Sequence, residues 1–558
     1  MEQTICNQFV AQVQRQGPAP ALKWREDGEW RTLSWEEYGE RTRAVALALD
    51  HRGLGRGGSV AVISSCRPEY FITDMATAAI GANTASIYLT STPEQIRYVL
   101  DNSDAQIICC EDDEQVAKVD QIRRDFPNLL VIGYSGSGAD LSFDDLLAEG
   151  RPLVAASSNR FDALRAQVEP TDTACIIYTS GTTGLPKAAL ISHRAILTVL
   201  EAISAAFPPG GEFRTLSYLP LAHIAERVMS MYPQLIDGGE VWFSKVDTLK
   251  QDLADCKPTR LLAVPRVWEK FEEALRKFVP DPKALPDEHR VGLLTLLGMD
   301  QVQFAISGAA PIAVETLNYF NDLGIEILEV YGMTESTGLS TANPPGQTKV
   351  GTVGRAVKGV EVKIADDGEV LIRGALFSGY HKNADATDEA LLDGWMQSGD
   401  LGSMDEDGYI TITGRKKDLI ITAGGENVAP SQIQLLLMRS PYISQALVVG
   451  DRRRFISALI TLSEETLPSW AEQNGLGELT MAQLADSAEV RKLVDDAVAT
   501  ANEQLARAHQ VRKYEILPRD FTIEGGELTP TMKLKRRVVE DEYAGLIEKL
   551  YEAGGSFG

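Results

Sequence analysis

The sequence has little cysteine. Six cysteines, at positions 6, 66, 109, 110, 175 and 256, show no C-x-x-C spacing, and none lies beyond residue 256. This distribution favours reduced thiols over a disulfide framework or a zinc site. We therefore predict a cytoplasmic protein.

An excess of positive charge and long apolar runs are also absent. The 54 basic and 79 acidic residues give a net charge of −25, which argues against binding to nucleic acid or anionic lipid. No stretch approaches the roughly 18 apolar residues of a membrane-spanning helix. The start, MEQTICNQFV, has no apolar signal core, so we expect no secretory signal. Peripheral membrane contact is left open, although no basic amphipathic stretch supports it.

The apolar residues that are present form short runs between helix-like segments. Examples are "SVAVISS" at 59–65, "AQIICCE" at 105–111, "RLLAVP" at 260–265 and "QVQFAISG" at 301–308. Alternation of this kind predicts layered β-sheets covered by helices. With 558 residues, we expect an α/β multidomain protein with a large N-terminal domain of layered sheets.

The pattern changes near Asp405. There "DEDGYITITGRKKDLIITAGGENVAP" predicts a hairpin turn, a strand, a second strand and a glycine turn, followed by a helix that begins at Pro430. We therefore predict two domains, 1–414 and 415–558, the second being a small mobile α+β domain.

The stretch "YTSGTTGLPKAALISH", from Tyr178 to His193, sets a loop of hydroxyl and glycine residues between two strand-like runs. Glycines let backbone N–H groups converge on an anion, and hydroxyls add donors. The spacing does not fit a Walker A loop, because Pro186 stands five residues after Gly181. The pattern favours an anion-binding loop over a flexible linker, since both of its ends are tied to strands.

The loop "TSGTTGLPK" resembles the phosphate loop of the acyl-adenylate-forming (AMP-binding) superfamily, and the resemblance continues along the chain. The matching segments are "YLPLAHIAERV" (218–228), "VPRVWEK" (264–270), "SGAAP" (307–311), "YGMTES" (331–336), "SGD" (398–400), "GRKKDLI" (414–420), "GGENVAP" (424–430) and "LTPTMKLKR" (528–536). Two of them, "AHIAERV" and "VPRVWEK", look most like the long-chain fatty acyl-CoA synthetase branch.

The resemblance implies an enzyme, an acid–thiol ligase that converts a carboxylic acid and ATP into an acyl-adenylate and pyrophosphate. Transfer to coenzyme A then gives acyl-CoA and AMP. Both steps bring anions together, so positive charge and oriented donors are needed. We expect a hydrophobic substrate, a long-chain fatty acid first, with Mg²⁺ as cofactor. A fatty acyl-AMP ligase that serves a separate carrier protein, and a CoA ligase for a steroid or aryl acid, remain alternatives.

The resemblance also assigns site residues. The ATP-binding set it implies is Thr179, Ser180, Gly181, Thr182, Thr183, Gly184, Lys187, Gly308, Ala309, Glu329, Tyr331, Thr334, Asp400 and Arg415. Within this set, Tyr331 would lie against the adenine ring, and Asp400, supported by Arg415, would accept hydrogen bonds from the ribose hydroxyls.

The catalytic and metal residues implied are Lys533, Thr334, Glu335 and His223. Glu335, with Thr179 as a second contact, would hold Mg²⁺, which prefers oxygen ligands. Lys533 would neutralise the attacking carboxylate and the α-phosphate. Each has an alternative: Glu335 as an exposed acid, His223 as a structural histidine, and Lys533 as part of a solvated basic patch with Lys535, Arg536 and Arg537.

The remaining assignments concern the small domain and the acyl tunnel. Lys417 matches the hinge about which the small domain rotates, and Gly424, Gly425 and Glu426 match the loop that binds coenzyme A. Some bacterial relatives have a tryptophan gate to the fatty-acid tunnel where this sequence has Arg227, so the role of Arg227 at a tunnel entrance is an open question.

Overall fold

The computed structural model describes residues 3–157, 159–179, 185–208, 210–523, 525–529 and 534–552. The strands up to the middle of the chain are β1 (Pro20–Glu26), β2 (Glu29–Ser34), β3 (Ser59–Ile63), β4 (Asn83–Ile87), β5 (Ile107–Cys110), β6 (Leu130–Gly133), β7 (Leu141–Ser142), β8 (Thr173–Thr179), β9 (Lys187–Ser192), β10 (Arg214–Ser217), β11 (Glu240–Phe243), β12 (Arg260–Ala263) and β13 (Phe304–Ser307).

The later strands are β14 (Ile327–Tyr331), β15 (Thr341–Ala342), β16 (Arg355–Ala356), β17 (Glu361–Ile364), β18 (Glu369–Arg373), β19 (Leu391–Leu392), β20 (Trp395–Met404), β21 (Ile410–Arg415), β22 (Ile420–Ile421), β23 (Asn427–Val428), β24 (Ile443–Val449), β25 (Ile456–Leu462) and β26 (Val511–Ile516).

The helices are α1 (Ile5–Gln16), α2 (Trp35–His51), α3 (Pro68–Ala79), α4 (Pro93–Ser103), α5 (Asp113–Asp120), α6 (Phe143–Ala156), α7 (Arg160–Arg165), α8 (His193–Ala206), α9 (Ile224–Glu226), α10 (Gln234–Asp237), α11 (Leu249–Cys256), α12 (Pro265–Arg276), α13 (Asp287–Leu296), α14 (Val314–Asp322), α15 (Ala384–Ala390), α16 (Pro430–Leu437), α17 (Leu467–Gln473), α18 (Met481–Ala485), α19 (Ala488–Glu503), α20 (Arg536–Glu542) and α21 (Ala544–Tyr551).

The largest sheet has the order β7-β6-β5-β3-β4-β8-β9, and only its last pair, β8 and β9, is antiparallel. Every residue of β3, β4 and β5 is buried, as expected for parallel strands covered on both faces by helices. The short apolar runs therefore form strands as predicted. The two strands predicted around the hydroxyl- and glycine-rich loop are confirmed as β8 and β9.

Two further sheets carry the rest of the large N-terminal part. One has the order β10-β11-β1-β2, and the other has the order β12-β13-β14-β15-β16. Strands β12, β13 and β14 run parallel, so the loops that follow them meet at one edge of the sheet. The antiparallel sheet β17-β18-β20-β19, with β21 paired to β20, completes this part.

The C-terminal part is a separate small unit. The hairpin β22–β23 and the three-stranded sheet β24-β25-β26 pack with helices around two apolar clusters whose members all lie at residue 420 or later. The fold is thus the predicted one, a large α/β domain of several sheets followed by a small α+β domain. The predicted boundary between residues 414 and 415 falls at the end of β21 and stays a prediction.

The predicted course of the chain after Asp405 is confirmed. The strand becomes β21, the second strand becomes β22, and Gly425, with φ +83°, lies in the turn that joins β22 to β23. A positive φ of this size favours glycine because it has no Cβ. Helix α16 begins at Pro430, where a missing N–H costs no helical hydrogen bond.

All six cysteines are unpaired and buried. In the described part of the chain, no helix is long and apolar enough to cross a membrane.

Candidate active site

The predicted phosphate loop is anchored by the β8–β9 hairpin. Thr179 ends β8 and is paired with Lys187, the first residue of β9, and the Thr179 hydroxyl donates to the Lys187 carbonyl at 3.3 Å. The hairpin therefore holds the two ends of the loop side by side. The intervening predicted residues Ser180, Gly181, Thr182, Thr183 and Gly184 lie outside the described residues.

A second predicted segment follows β14. Tyr331 ends the strand, and residues 334–336 form a single 3₁₀ turn that carries Thr334, which is buried, and Glu335, which is partly buried. Thr337 has φ +54° and Gly338 has φ +95°, and these left-handed residues reverse the chain directly after the turn. The turn thus presents Glu335 at the carboxyl end of the parallel strands.

Three predicted ATP-binding residues from three strands form one cluster. The Tyr331 hydroxyl donates to Asp400 Oδ2 at 2.7 Å, and Arg415 Nε lies 2.9 Å from Asp400 Oδ1. Burial and the negative charge of Asp400 raise the pKa of Tyr331 well above its ordinary value, so the hydroxyl keeps its proton. An ionised carboxylate has about four acceptor positions, so Asp400 retains capacity for ribose hydroxyls.

The loop after β13 is strained where the sequence predicts an adenine and acyl pocket. Ala309 has φ +70°, which is uncommon for a residue with a Cβ and is often found at functional sites. Gly308 has no space for a side chain, since an added Cβ would lie 2.8 Å from Val330 Cγ2. Glycine therefore lets this loop pack closely against β14.

Glu329 lies beside this loop in an apolar environment. It is opposite Ser307 in the β13–β14 register, and burial raises the pKa of Glu329 from 4.5 to about 7. Within the part of the chain that the structure describes, neither Ser307 Oγ nor Glu329 Oε2 has a hydrogen-bond partner. Buried polar atoms are normally paired, so these two atoms offer hydrogen-bonding capacity to a polar ligand.

His223 lies at the N-terminus of α9. Its Nδ1 accepts a hydrogen bond from the Ala225 backbone N–H at 3.2 Å, which requires Nδ1 to be unprotonated and leaves the proton on Nε2. An added Cβ on Gly338 would lie 2.7 Å from Val228 Cγ2 and 3.5 Å from Ile224 Cγ1. The segment that carries His223 therefore packs against the turn that follows Glu335.

Arg227 does not lie at an exposed tunnel entrance. Its side chain is 0% exposed and is paired with Asp74, which is 1% exposed, at 2.6 Å. Its guanidinium also donates to the hydroxyls of Tyr70, Ser86 and Tyr232 at 3.0, 2.8 and 2.7 Å. The charge is stabilised by this network, so Arg227 ties elements together inside the protein.

A residue that the sequence analysis missed completes the site. The Tyr380 hydroxyl donates to Glu335 Oε1 at 2.6 Å, and Lys187 Nζ lies 4.9 Å from the centre of the Tyr380 ring. Burial and the negative charge of Glu335 raise the pKa of Tyr380. Tyr380 is 45 residues from Glu335 in the chain, and no local pattern indicates the contact.

The predicted hinge and coenzyme A residues lie in the exposed connection to the small domain. Lys417 is exposed in a 3₁₀ turn at Lys416–Asp418, and Gly424, Gly425 and Glu426 are exposed in the β22–β23 turn. The neighbouring Lys416 is bonded to Asp367 and Glu369 at 2.6 and 2.9 Å. Lys533 lies outside the described residues.

The alternative of a solvated basic patch is wrong for Arg536. Its guanidinium donates to the Val448 carbonyl at 2.7 Å, to Glu540 at 2.9 Å and to Gln434 Oε1 at 3.1 Å. These partners lie on three different elements. Arg536 therefore binds α20 to the body of the small domain.

The residues present suit a magnesium ion whose ligands would come partly from the protein and partly from the phosphates of the nucleotide. No group of three or more His, Cys, Asp or Glu side chains suited to a metal occurs among the described residues. Mg²⁺ is commonly held by one or two carboxylates together with substrate phosphates. Glu335, whose Oε1 is bonded to Tyr380, offers such a carboxylate, with Thr179 as the second predicted contact.

Solved structures share this fold. The adenylation domain of a carboxylate reductase from Mycobacterium chelonae has a TM-score of 0.79 at 20% identity and covers 98% of this chain and 91% of its own. The O-succinylbenzoate coenzyme A synthetase of Bacillus subtilis, in complex with ATP and a magnesium ion, has a TM-score of 0.73 at 19% identity, covering 95% of this chain and 98% of its own.

Sequence relatives are more similar. The long-chain-fatty-acid–CoA ligase FadD15 of Mycobacterium bovis is 38% identical over 94% of this chain and 93% of its own length. The human long-chain-fatty-acid–CoA ligase ACSBG2 is 31% identical over 98% of this chain and 92% of its own length. Residues 9–381 match the AMP-binding enzyme family, and residues 417–554 match the AMP-binding enzyme C-terminal domain. The chain therefore belongs to the AMP-binding enzyme family, among its AMP-forming acid–thiol ligases.

Proposed function

We propose that this protein is a long-chain fatty acid–CoA ligase. It would activate the acid with ATP to form an acyl-adenylate and pyrophosphate, and then transfer the acyl group to coenzyme A. The observation that carries the proposal is the joining of Tyr331, Asp400 and Arg415 beside the turn that bears Glu335, in a chain whose relatives are named long-chain-fatty-acid–CoA ligases.

In the first half-reaction, the protein has to orient ATP and to accommodate negative charge. Asp400 and Arg415 would hold the ribose, and the Gly308–Ala309 loop would lie against the adenine and the acyl group. Glu335 would hold Mg²⁺, which when bound neutralises charge on the phosphates. Oriented donors and cations of this kind stabilise the transition state of acyl activation.

His223 would bind the acyl carboxylate as a neutral donor. Because Nδ1 accepts from the Ala225 backbone, the group that would donate to a carboxylate oxygen is Nε2–H. A hydrogen bond to a charged oxygen is stronger than one between neutral groups. This role needs no protonation of the imidazole at neutral pH.

Lys533 would supply positive charge to the adenylation step alone. Lys533→Ala is expected to abolish adenylate formation, because the attacking carboxylate and the α-phosphate are then left without that charge. Thioester formation from supplied acyl-adenylate should remain measurable, since the acid is already activated. Equal loss of both half-reactions would contradict this assignment.

Lys417 would act as the hinge about which the small domain rotates between the two steps.

The proposed function is tested by measuring pyrophosphate release with ATP and Mg²⁺ across a panel of acids, each with and without coenzyme A. The panel runs from acetate through octanoate and palmitate to a steroid acid and an aryl acid. Sustained turnover with palmitate only when coenzyme A is present is the expected result. A single burst that coenzyme A does not accelerate would contradict the proposal and indicate a carrier protein as acceptor.

A further inference from the structure

The segment 375–381, here called the strap, is bonded to the turn that carries Glu335. The Thr337 hydroxyl donates to the Ala375 carbonyl at 2.9 Å. The Phe377 backbone N–H donates to the Glu335 carbonyl, also at 2.9 Å. The first half of the strap is therefore fixed to the turn at Glu335 itself and at Thr337.

The second half of the strap is bonded to β9, which begins at the end of the phosphate loop. The Ser378 N–H donates to the Leu190 carbonyl at 2.8 Å, and the Leu190 N–H donates to the Gly379 carbonyl at 3.0 Å. The His381 N–H donates to the Ala188 carbonyl at 2.8 Å. The strap therefore connects the predicted phosphate-binding strand to the predicted metal-binding turn through backbone hydrogen bonds.

Tyr380 lies at the centre of this connection and contacts both sides with its side chain. Its hydroxyl donates to Glu335 Oε1 at 2.6 Å, and its ring lies 4.9 Å from Lys187 Nζ. The Phe377 ring packs edge-on against it, with 4.8 Å between ring centres. A ring held on a hydrogen-bonded strap has little freedom, so its hydroxyl is a fixed donor.

We propose that Tyr380 is a positioning residue that orients the Glu335 carboxylate for Mg²⁺ binding and holds it in register with β9. This inference rests on the proposed role of Glu335 as a metal ligand. The hydroxyl occupies one side of Oε1 and thereby restricts the rotation of the carboxylate. Residues that orient a metal ligand commonly affect metal affinity by about 10- to 100-fold.

The contact with Lys187 gives Tyr380 a second, separable effect. A cation over an aromatic face is attracted by the ring and does not require the hydroxyl. Tyr380→Phe therefore removes the hydrogen bond to Glu335 and keeps the ring against Lys187. This substitution isolates the positioning role from the packing role.

The experiment measures Mn²⁺ binding by electron paramagnetic resonance in the presence of a non-hydrolysable ATP analogue, together with the Mg²⁺ dependence of pyrophosphate release. Tyr380→Phe is expected to weaken Mn²⁺ binding and to raise the half-saturating Mg²⁺ concentration by about tenfold, with kcat at saturating Mg²⁺ changed much less. Tyr319→Phe is the matched control, because it removes a hydroxyl that donates to the Val279 carbonyl at 2.9 Å and leaves the strap intact.

Glu335→Gln and the double variant separate failure of the inference from failure of the proposed function. If Glu335→Gln weakens metal binding and Tyr380→Phe does not, the positioning role is wrong and the metal role of Glu335 stands. If neither variant alters metal binding, the metal role of Glu335 fails and the inference fails with it. The double variant should bind metal as Glu335→Gln does, because Tyr380 acts through Glu335; additive losses would overturn the inference.

Discussion

Two aspartate–arginine pairs of this protein have similar nitrogen–oxygen distances and different surroundings. Arg227 and Asp74 are 2.6 Å apart with side chains 0% and 1% exposed. Arg415 and Asp400 are 2.9 Å apart, but the Arg415 side chain is 54% exposed and the Asp400 side chain is 6% exposed. One pair is closed to solvent on both sides, and the other is open on the side of the arginine.

The difference separates a pair that is enclosed in the fold from the pair that we propose binds the nucleotide. The Arg227 guanidinium uses its donors on Asp74, four hydroxyls and the Leu221 carbonyl. A charge enclosed in this way has little left to offer a ligand, and removing one partner would leave the other buried without a pair. The exposed Arg415 and the incompletely used Asp400 keep the capacity that a nucleotide needs.

The largest expected effect follows from breaking the closed pair. Arg227→Met leaves Asp74 buried without its partner, so we expect the free energy of unfolding to fall by about 3–5 kcal/mol. Chemical denaturation of the variant measures the loss. Arg227→Met combined with Asp74→Leu should recover part of it, since an apolar pair needs no desolvated charge. A loss below about 1 kcal/mol in the single variant would show that the network is not structural.

Breaking the open pair should mainly affect ATP use. Asp400→Asn removes a charged acceptor for ribose hydroxyls, so we expect kcat/KM for ATP to fall by about a hundredfold, as expected for loss of charged hydrogen bonds. The free energy of unfolding should change by only about 1 kcal/mol, because Arg415 is largely exposed. Steady-state kinetics and denaturation of the same preparation give both values. A stability loss as large as that of Arg227→Met would remove the distinction between the pairs.

The smallest expected effect concerns the pH dependence of stability, which we compare for two buried acids, one near each pair. Burial raises the pKa of both Glu329 and Glu226 from 4.5 to about 7. Because the pKa of each acid is higher in the folded state, the folded protein holds the proton more tightly than the unfolded chain does. The free energy of unfolding therefore falls as the pH rises from about 4.5 to about 7. Replacing either acid by glutamine should remove about 2 kcal/mol of this fall between pH 5 and 7, measured by denaturation at each pH.

The two variants should differ in function. Glu329 lies beside the strained loop at Ala309, whereas Glu226 accepts a hydrogen bond from Ser217 at 2.7 Å inside the structural region. Glu329→Gln is therefore expected to alter KM for ATP, and Glu226→Gln is expected to leave it unchanged. Equal changes in KM would contradict the placement of Glu329 in the nucleotide site.

Features that depend on neighbours in the chain could be predicted from the sequence. The β8–β9 hairpin, the strand ending at Ser307 and the glycine turn at Gly425 each follow from a local pattern of apolar, hydroxyl and glycine residues. The resemblance of short segments to the AMP-binding superfamily then predicted which of these loops lie in one site. Local periodicity and turn chemistry are sufficient for such elements.

Contacts between distant residues could not be predicted in this way. Asp74 is 153 residues from Arg227, and the sequence around Arg227 does not reveal whether its charge is buried with a partner or exposed. The contact of Tyr380 with Glu335 likewise depends on the strap lying between β9 and the turn. Side-chain contacts of this kind are decided by the packing of the whole domain, so a resemblance of short segments assigned Glu335 and missed Tyr380.

The burial of the six cysteines has a practical consequence for observing the proposed rotation of the small domain. Maleimide dyes react with the thiolate, and burial raises the pKa of these thiols, in Cys109 to about 12 and in Cys175 to about 11. The chain after residue 256 contains no cysteine. One cysteine introduced at exposed Ser157 and another at exposed Glu472 would therefore accept a donor–acceptor dye pair selectively, with every native cysteine kept in place.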